Sequence, residues 1–420
     1  MTERRAVLIL GGGFGGLYAA RALAARAAPG SLAITVVDRA PQFVFKPLLY
    51  ELLTGEVAEA DVAFPFADVL ERPGIEHLRA EVREIDLERR RVRLAPADPR
   101  APAVPEELAF DAAAVALGSE PDFRGLPGLA EHALAASSLG HFRRLDQHLA
   151  ALAAGPDDAA SRTVAVCGAG PSGVEIAGKL ADRFAAAARR SGGGRTRIVV
   201  VEASPGILGG FSEEIKARGL ALLEAKGVEL RLGTAVRSAD AEGLEVEGAV
   251  AGRERIPART VIWTAGQRPS PVVRALPGEH SPSGRLVVPS TLELRGRPGV
   301  FALGDNARCV IEGAEAPPET AQVAVQQSSV IARNVLARLE GKTLSSFRYF
   351  PLAETLSVGR GYDIFSVLGL RLEGRSANLV RRLAYVARLP GWKQRAAVGA
   401  RLGARLAGEA LDALIGRISG

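Results

Sequence analysis

The chain has 420 residues, 47% of them hydrophobic and 24% charged, which suits two or three folded domains and excludes disorder. It carries 53 Lys and Arg against 47 Asp and Glu, a formal charge of +6. Its two cysteines, Cys167 and Cys309, exclude a disulfide framework, a four-ligand metal site and a CxxC or CxxxxC redox pair. No stretch supplies the roughly 20 consecutive apolar residues of a spanning helix, so attachment to a membrane would be peripheral.

The N-terminal apolar run enters a glycine motif instead of a cleavage site. Residues 6–10 read as a strand, GGGFGG as a turn, the alanine-rich stretch through Ala28 as a helix, and residues 34–37 as a second strand ending at Asp38. Residues 91–106 are charged and proline-rich, a hairpin or surface loop. Residues 115–118 read as a buried strand with a glycine turn. The opening pattern then recurs: a strand at 163–166, the turn CGAGPSG, a helix over 174–189, SGGG at 191–194, and a strand at 197–201 ending at Glu202. Short strands fill 228–262 and close with VIWTAG; VFALGD at 300–305 is a strand followed by a helix over 320–339. Residues 347–374 suggest a small antiparallel sheet, and 375–415 are helical in pattern.

Two glycine fingerprints therefore lie 157 residues apart. In Gly11-x-Gly13-x-x-Gly16, the first glycine makes the turn, the second lets backbone approach a pyrophosphate, and the third lets helix and strand touch. The helix N-terminus adds unpaired N–H groups for phosphate, and Asp38, 22 residues after Gly16, would accept from a ribose hydroxyl. The second fingerprint, Gly168-x-Gly170-x-x-Gly173, has its acid, Glu202, 29 residues on. An acid there favours NADH, because a 2′-phosphate would meet like charge; Arg195 and Arg197 could offset it. The expected class is α/β: two Rossmann-like three-layer dinucleotide-binding domains, at 1–120 with 285–340 and at 121–284, followed by a small C-terminal sheet and amphipathic helices at 341–420. One dinucleotide would be resident and the other visiting, as in electron-transfer flavoenzymes.

Together these features resemble the two-dinucleotide-domain flavoproteins, in which the first lobe holds FAD and the second binds NAD(P)H. VFALGD is similar to their second FAD signature, which makes Asp305 the expected contact to the flavin ribityl or phosphate region, with Asn306 and Ala307 capping the adjoining helix. Within that superfamily the chain resembles the type II NAD(P)H:quinone oxidoreductases through FKPLLYELLTG at 45–55, VIWTAG at 261–266, Glu175, and PPETAQVAVQQ at 317–327. The resemblance implies FAD contacts at Gly11, Gly13, Phe14, Gly15, Gly16, Asp38, Arg39, Lys46, Pro47, Val82, Ala116, Gly118, Gly304, Asp305, Ala321, Gln322 and Val323. It implies NAD(P)H contacts at Gly168, Gly170, Pro171, Ser172, Gly173, Glu175, Glu202, Ala265 and Gly266. Glu175 is expected near the nicotinamide and flavin, and Gln322 and Gln326, at i,i+4 on one helical face, are the expected quinone contacts. The implied reaction is non-proton-pumping: hydride from nicotinamide to flavin N5, then two electrons to a membrane quinone.

The tail, FRYFPLAETLSVGRG and then GLRLEGRSANLVRRLAYVARLP, resembles the cyanobacterial and plastid branch that reduces prenylated naphthoquinones in phylloquinone synthesis. Ala353, Thr355 and Asn378 depart from that branch's pattern. Eight Arg or Lys residues and no acid lie between Arg375 and Arg405. With Leu379, Leu383 and Val386, then Val398, Leu402 and Leu406 at helical spacing, the basic residues Arg381, Arg382, Arg388, Lys393, Arg395, Arg401 and Arg405 describe a helix lying on an anionic membrane, with Tyr385 and Trp392 at the interface. The implied place is the cytoplasmic side of a bacterial plasma or thylakoid membrane, as a homodimer, with no nucleic acid partner. The rival readings are a flavin reductase of a protein acceptor of ferredoxin or rubredoxin type and a non-enzymatic flavoprotein redox sensor. Dithiol and sulfide chemistry are disfavoured, since both cysteines lie within the nucleotide motifs.

Overall fold

In the first sheet the strands run in the spatial order Val300–Ala302, Ala112–Val115, Arg5–Leu10, Leu32–Asp38, Ile75–Asp86, Arg91–Pro96 and Glu107–Ala109. The first five are parallel, and the last two join antiparallel. The structure is a computed structural model and describes residues 4–98, 100, 103–153, 158–191, 196–249, 252–367 and 369–418. Inner parallel strands are covered on both faces and so read as continuous apolar or small runs; Ala112–Val115 is buried at every position. The helix Phe14–Arg26 packs on this sheet and alongside the helix Ala321–Leu339.

The second sheet is parallel throughout, in the order Ala133–Ala135, Thr260–Trp263, Thr163–Cys167, Arg197–Val201 and Glu229–Arg231. An antiparallel meander of Thr234–Asp240, Gly243–Gly248 and Gly252–Pro257 accompanies it. The chain leaves the first sheet through Ser119–Pro121 and returns through Gln267–Pro269, and these two crossings pair antiparallel. A three-stranded antiparallel sheet, Glu354–Ser357, Asp363–Val367 and Leu370–Glu373, leads into the helices Gly374–Arg388 and Trp392–Ile418. The architecture is the expected α/β one, with two dinucleotide-type sheets and a small C-terminal sheet with helices.

Two local readings shift and a third is resolved between its alternatives. The strand expected at 115–118 lies at Ala112–Val115, because the next residues turn off the sheet: Gly118 has φ +68° and donates to Asn306. Of the hairpin or surface loop expected at 91–106, the hairpin forms: Arg91–Pro96 pairs antiparallel with Glu107–Ala109, and Val92 and Leu94 bury against the sheet edge. VFALGD is extended only over Val300–Ala302 and then makes the turn Gly304–Asn306. The SGGG glycines and Arg195 lie outside the described residues.

Candidate functional site

The two glycine turns are built alike. Gly11 has φ +105° and Gly168 φ +104°, a backbone that favours glycine. A methyl at Gly16 would sit 1.8 Å from the Gly11 carbonyl, and one at Gly173 1.9 Å from the Gly168 carbonyl, so the third glycine of each set is required by helix-to-strand contact. Gly13 and Gly170 face open space, with nothing within 4 Å of where a Cβ would stand. Each strand-end acid ties back to its own turn. Asp38 accepts from the Gly12 and Ala40 N–H groups at 2.6 and 2.7 Å; Glu202 accepts from Ala169 and Ser204 at 2.7 and 2.8 Å. The longer spacing before Glu202 therefore leaves the geometry intact. Arg197 pairs with Glu229 at the far end of its strand, so it does not offset the Glu202 charge.

Beside the first turn, Ala116 donates to Leu10 at 2.7 Å, and Asn306 clamps the adjoining loop by accepting from Gly118 at 2.9 Å and donating to Val115 at 3.1 Å. Asn306 is fully buried and Ala307 begins the strand Ala307–Val310, so neither caps a helix as expected. That cap is Thr320, whose hydroxyl accepts from the Val323 N–H at 3.2 Å. Gln327, missed in the sequence, accepts from the Gly304 N–H at 2.8 Å and fixes the turn that carries Asp305. Gly304, Asp305, Thr320, Val323 and Gln327 line one pocket, with Ala321 opening the helix beside it. Phe14 packs edge-on against Phe43 and Phe45, Gly15 meets Leu303, Arg39 and Lys46 are exposed, and Val82 is buried. Pro47 sits in the first turn of the short helix Lys46–Thr54. On the second lobe Ala265 abuts Gly168, and Gly266 accepts from the Asp122 N–H at 3.0 Å.

The two lobes meet where Tyr50, on Lys46–Thr54, bonds Ser172 at 2.7 Å, one residue past Pro171 at the start of the second glycine helix. Glu175, one turn on, accepts from the Ser357 N–H at 2.8 Å. Burial pushes its carboxyl up to about 7, against the Ser357 bond and the charges of Arg381 and Lys179. One further turn along, fully buried Lys179 pairs with Glu56 at 2.5 Å. From there a ladder of ions crosses to the helix Gly374–Arg388. Glu56 and Glu51 both bind Arg382, at 3.0 and 2.6 Å, and Glu51 and Asp363 both bind Arg381, at 2.5 and 2.7 Å. Burial opposes ionisation of Glu51, yet Arg381, Lys179 and Arg382 hold it down at about 2. Sequence spacing gives no sign of this ladder, whose rungs from Glu51 and Glu56 to Arg381 and Arg382 span more than 300 positions.

Two of the three departures from the branch pattern, Thr355 and Asn378, hydrogen-bond here. Asn378 donates to Asp363 at 2.9 Å, and the Thr355 hydroxyl lies 3.1 Å from that of Tyr385.

Gln322 and Gln326 do share a helical face, which grips the segment 349–350. Gln322 donates to the Tyr349 hydroxyl at 2.8 Å, while Gln326 donates to the Phe350 carbonyl at 2.7 Å and accepts from its N–H at 3.0 Å. The tail's cationic surface is reduced, although Arg388, Lys393 and Arg395 stay exposed. Arg381 and Arg382 point inward, Arg401 and Arg405 pair with Asp61, and Lys393 pairs with Glu71. Tyr385 turns inward onto Phe45, and Val398 is buried. The outward face is instead apolar: Leu383 is 54% exposed, Leu370 72% and Trp392 75%, with Leu379, Val380 and Leu372 beside them. Among the described residues no helix is long and apolar enough to cross a membrane.

Burial pushes the Cys167 thiol up to about 12 and Cys309 up to about 11; a thiol held protonated is a poor nucleophile. Alkylation at pH 8 is therefore expected to label neither thiol until the protein unfolds, and the double variant C167S/C309S should keep NADH oxidation within about twofold. A mass-spectrometric count of alkylated sites checks the first point and steady-state kinetics the second.

Residues 5–328 match the pyridine nucleotide-disulphide oxidoreductase family. Demethylphylloquinone reductase NdbB of Synechocystis sp. is 36% identical over 95% of this chain and 96% of its own length. The alternative NAD(P)H-ubiquinone oxidoreductase C1 of Arabidopsis thaliana is 32% identical over 95% of this chain and 80% of its own. In fold, the chain is similar to NDH2 of Plasmodium falciparum, with a TM-score of 0.83 at 15% identity over 95% of this chain and 98% of that one. The paired glycine turns, the match across nearly the whole chain and the absence of reactive thiols converge: this chain belongs to the type II NAD(P)H:quinone oxidoreductases, close to the demethylphylloquinone reductase branch.

Proposed function

We propose that FAD fills the first glycine cradle, that NADH visits the second, and that the electron acceptor is a prenylated demethylnaphthoquinone of phylloquinone or menaquinone type. The protein is an oxidoreductase that couples FAD-dependent NAD(P)H oxidation to quinone reduction. The observation that carries the cofactor assignment is the duplicated cradle, open at Gly13 and Gly170 and joined across Tyr50 and Ser172. Open space at the second glycine of each set, below a helix N-terminus, fits a pyrophosphate.

FAD would supply the hydride acceptor and the electron pair; the residues supply alignment and proton control. Asp38 and Glu202, held by backbone N–H groups, offer carboxylates to ribose hydroxyls. Asp305, Gly304 and the Ala321–Val323 turn would hold the flavin, together with Lys46 and Pro47. Ser172 and Glu175 border the nicotinamide. Gln322 orients the quinone, and Gln326 supports it by fixing Phe350. The outward apolar face of the C-terminal helix, with Trp392, seats the protein on the membrane surface; we retain the homodimer as part of this reading.

Anaerobic stopped-flow tests the reading. NADH should bleach the flavin, and a short-chain demethylnaphthoquinone should restore it faster than a ubiquinone analogue does. Bleaching with no return by any quinone would leave the protein-acceptor reductase or the sensor. The like-charge argument at Glu202 predicts a KM for NADPH roughly tenfold or more above that for NADH, since each 1.4 kcal/mol is a factor of ten. Glu202→Ser should narrow that ratio in steady-state kinetics; an unchanged ratio would remove Glu202 from the ribose site.

A further inference from the structure

The helix Gly374–Arg388 is inverted in polarity. Its outward residues include Leu379, Val380 and Leu383, with Arg388 exposed at its end, and its inward residues include Asn378, Arg381, Arg382 and Tyr385, which are engaged with Asp363, Glu51, Glu56 and Thr355. Turning ions inward raises the cost of burial, and here one ion of the ladder, Arg381, lies over the ring of Tyr385. The Tyr385 ring packs 5.6 Å from Phe45, and Phe45 packs 5.3 Å from Phe14, which opens the first glycine helix. Tyr385 thus lies against the segment leading into Lys46. Its hydroxyl is 3.1 Å from that of Thr355, and the Arg381 guanidinium carbon is 5.1 Å from its ring centroid.

We propose that Tyr385 is a catalytic residue of the quinone half-reaction, donating its phenolic proton to a quinone carbonyl oxygen. The inference rests on the quinone reductase reading. Oxidation of NADH by a quinone consumes one proton from solvent: NADH, H⁺ and quinone give NAD⁺ and hydroquinone. The electron pair and one proton reach the quinone from NADH by way of the bound flavin, forming one O–H bond. The second O–H bond forms as the Tyr385 O–H breaks. The tyrosinate left behind is stabilised by Arg381 and recovers its proton from water, with Thr355 as its hydrogen-bond partner. Burial keeps Tyr385 protonated between turnovers, although Arg381 and Thr355 pull the other way. Around the hydroxyl the charged and titratable groups are Arg381 on its own helix, Glu175 on the second glycine helix and Tyr50 on Lys46–Thr54. A tyrosine among these groups can give a proton without adding a permanent charge beside the quinone.

The test is Tyr385→Phe, which keeps the ring, its packing on Phe45 and the cation–π contact. Flavin reoxidation by the quinone should slow about a hundredfold, within the range of general acids. Reoxidation by ferricyanide, which takes electrons and no proton, should be unaffected. Quinone binding to the resting oxidised protein, read from fluorescence quenching, should weaken roughly threefold to tenfold as one hydrogen bond is lost. Thr355→Val, which removes only the partner hydroxyl, should slow the quinone step by a smaller factor and spare ferricyanide. Unchanged quinone rates and affinity in both variants would overturn the proposal. Equal slowing with both acceptors would also overturn it, because the role would then be structural. Failure of the wild-type protein to reduce any quinone would instead remove the reading beneath it.

Discussion

Replacing Arg381 by methionine is expected to destabilise the protein by roughly 3–5 kcal/mol, the cost of leaving a buried ion without its partner. That is a large part of the roughly 5–15 kcal/mol that holds a typical domain. Arg381 is 2% exposed and stands between Glu51 at 1% and Asp363 at 0%. Removing it leaves buried Asp363 with no cation beside it and Glu51 with Arg382 alone, and Asp363 already has one oxygen atom without a hydrogen-bond partner. Urea unfolding should show the loss, and limited proteolysis should show Gly374–Arg388 released first. The variant E51Q/R381M/D363N removes the charges together and should recover most of the stability, since a buried pair can be exchanged for neutral groups at little net cost. If R381M unfolds at the wild-type urea concentration, the ladder is not what seats the helix.

The second large effect concerns Glu175, whose folded carboxyl titrates near 7 instead of about 4.5 because burial disfavours its charge. Between those two values the folded state binds a proton that the unfolded chain has released, so this group's contribution to stability falls as pH rises from about 4.5 to about 7. Glu175→Gln removes the titration. The variant should therefore be more stable than wild type at pH 8, by about 3–4 kcal/mol at roughly 1.4 kcal/mol per unit, and nearly equal to it at pH 4. The same substitution should flatten the limb of the pH–rate profile near 7. A buried acid that destabilises its own fold is expected where function demands it. Equal melting temperatures of the two proteins across this pH range would show that Glu175 titrates as an ordinary surface acid.

How legible the site was depends on where each constraint lives. The glycine turns could be read directly, because Gly11, Gly16, Gly168 and Gly173 answer to backbone geometry set within a few residues. Asp38 and Glu202 could be read for the same reason, each lying at the end of the strand that follows its turn. The end of VFALGD was misjudged because its last residues obey a distant demand: Asn306 must satisfy Val115 and Gly118, 191 and 188 positions away. Gln327 escaped notice beside two more conspicuous glutamines, since only the turn at Gly304 distinguishes it.

The tail shows the same division more sharply. A run of Arg and Lys without acids reads as a basic surface, because local sequence contains no hint of where the counter-charges are. Those charges are Glu51, Glu56 and Asp61, brought in from the first lobe. The sequence by itself determined the α/β class, the two dinucleotide cradles and the family, since these follow from short-range patterns of strand, glycine and acid. Only the tertiary structure decided that the helix Gly374–Arg388 turns Arg381 and Arg382 inward and its leucines outward. Which face of a helix is buried depends on the partner that meets it, and here that partner lies more than 300 residues away along the chain.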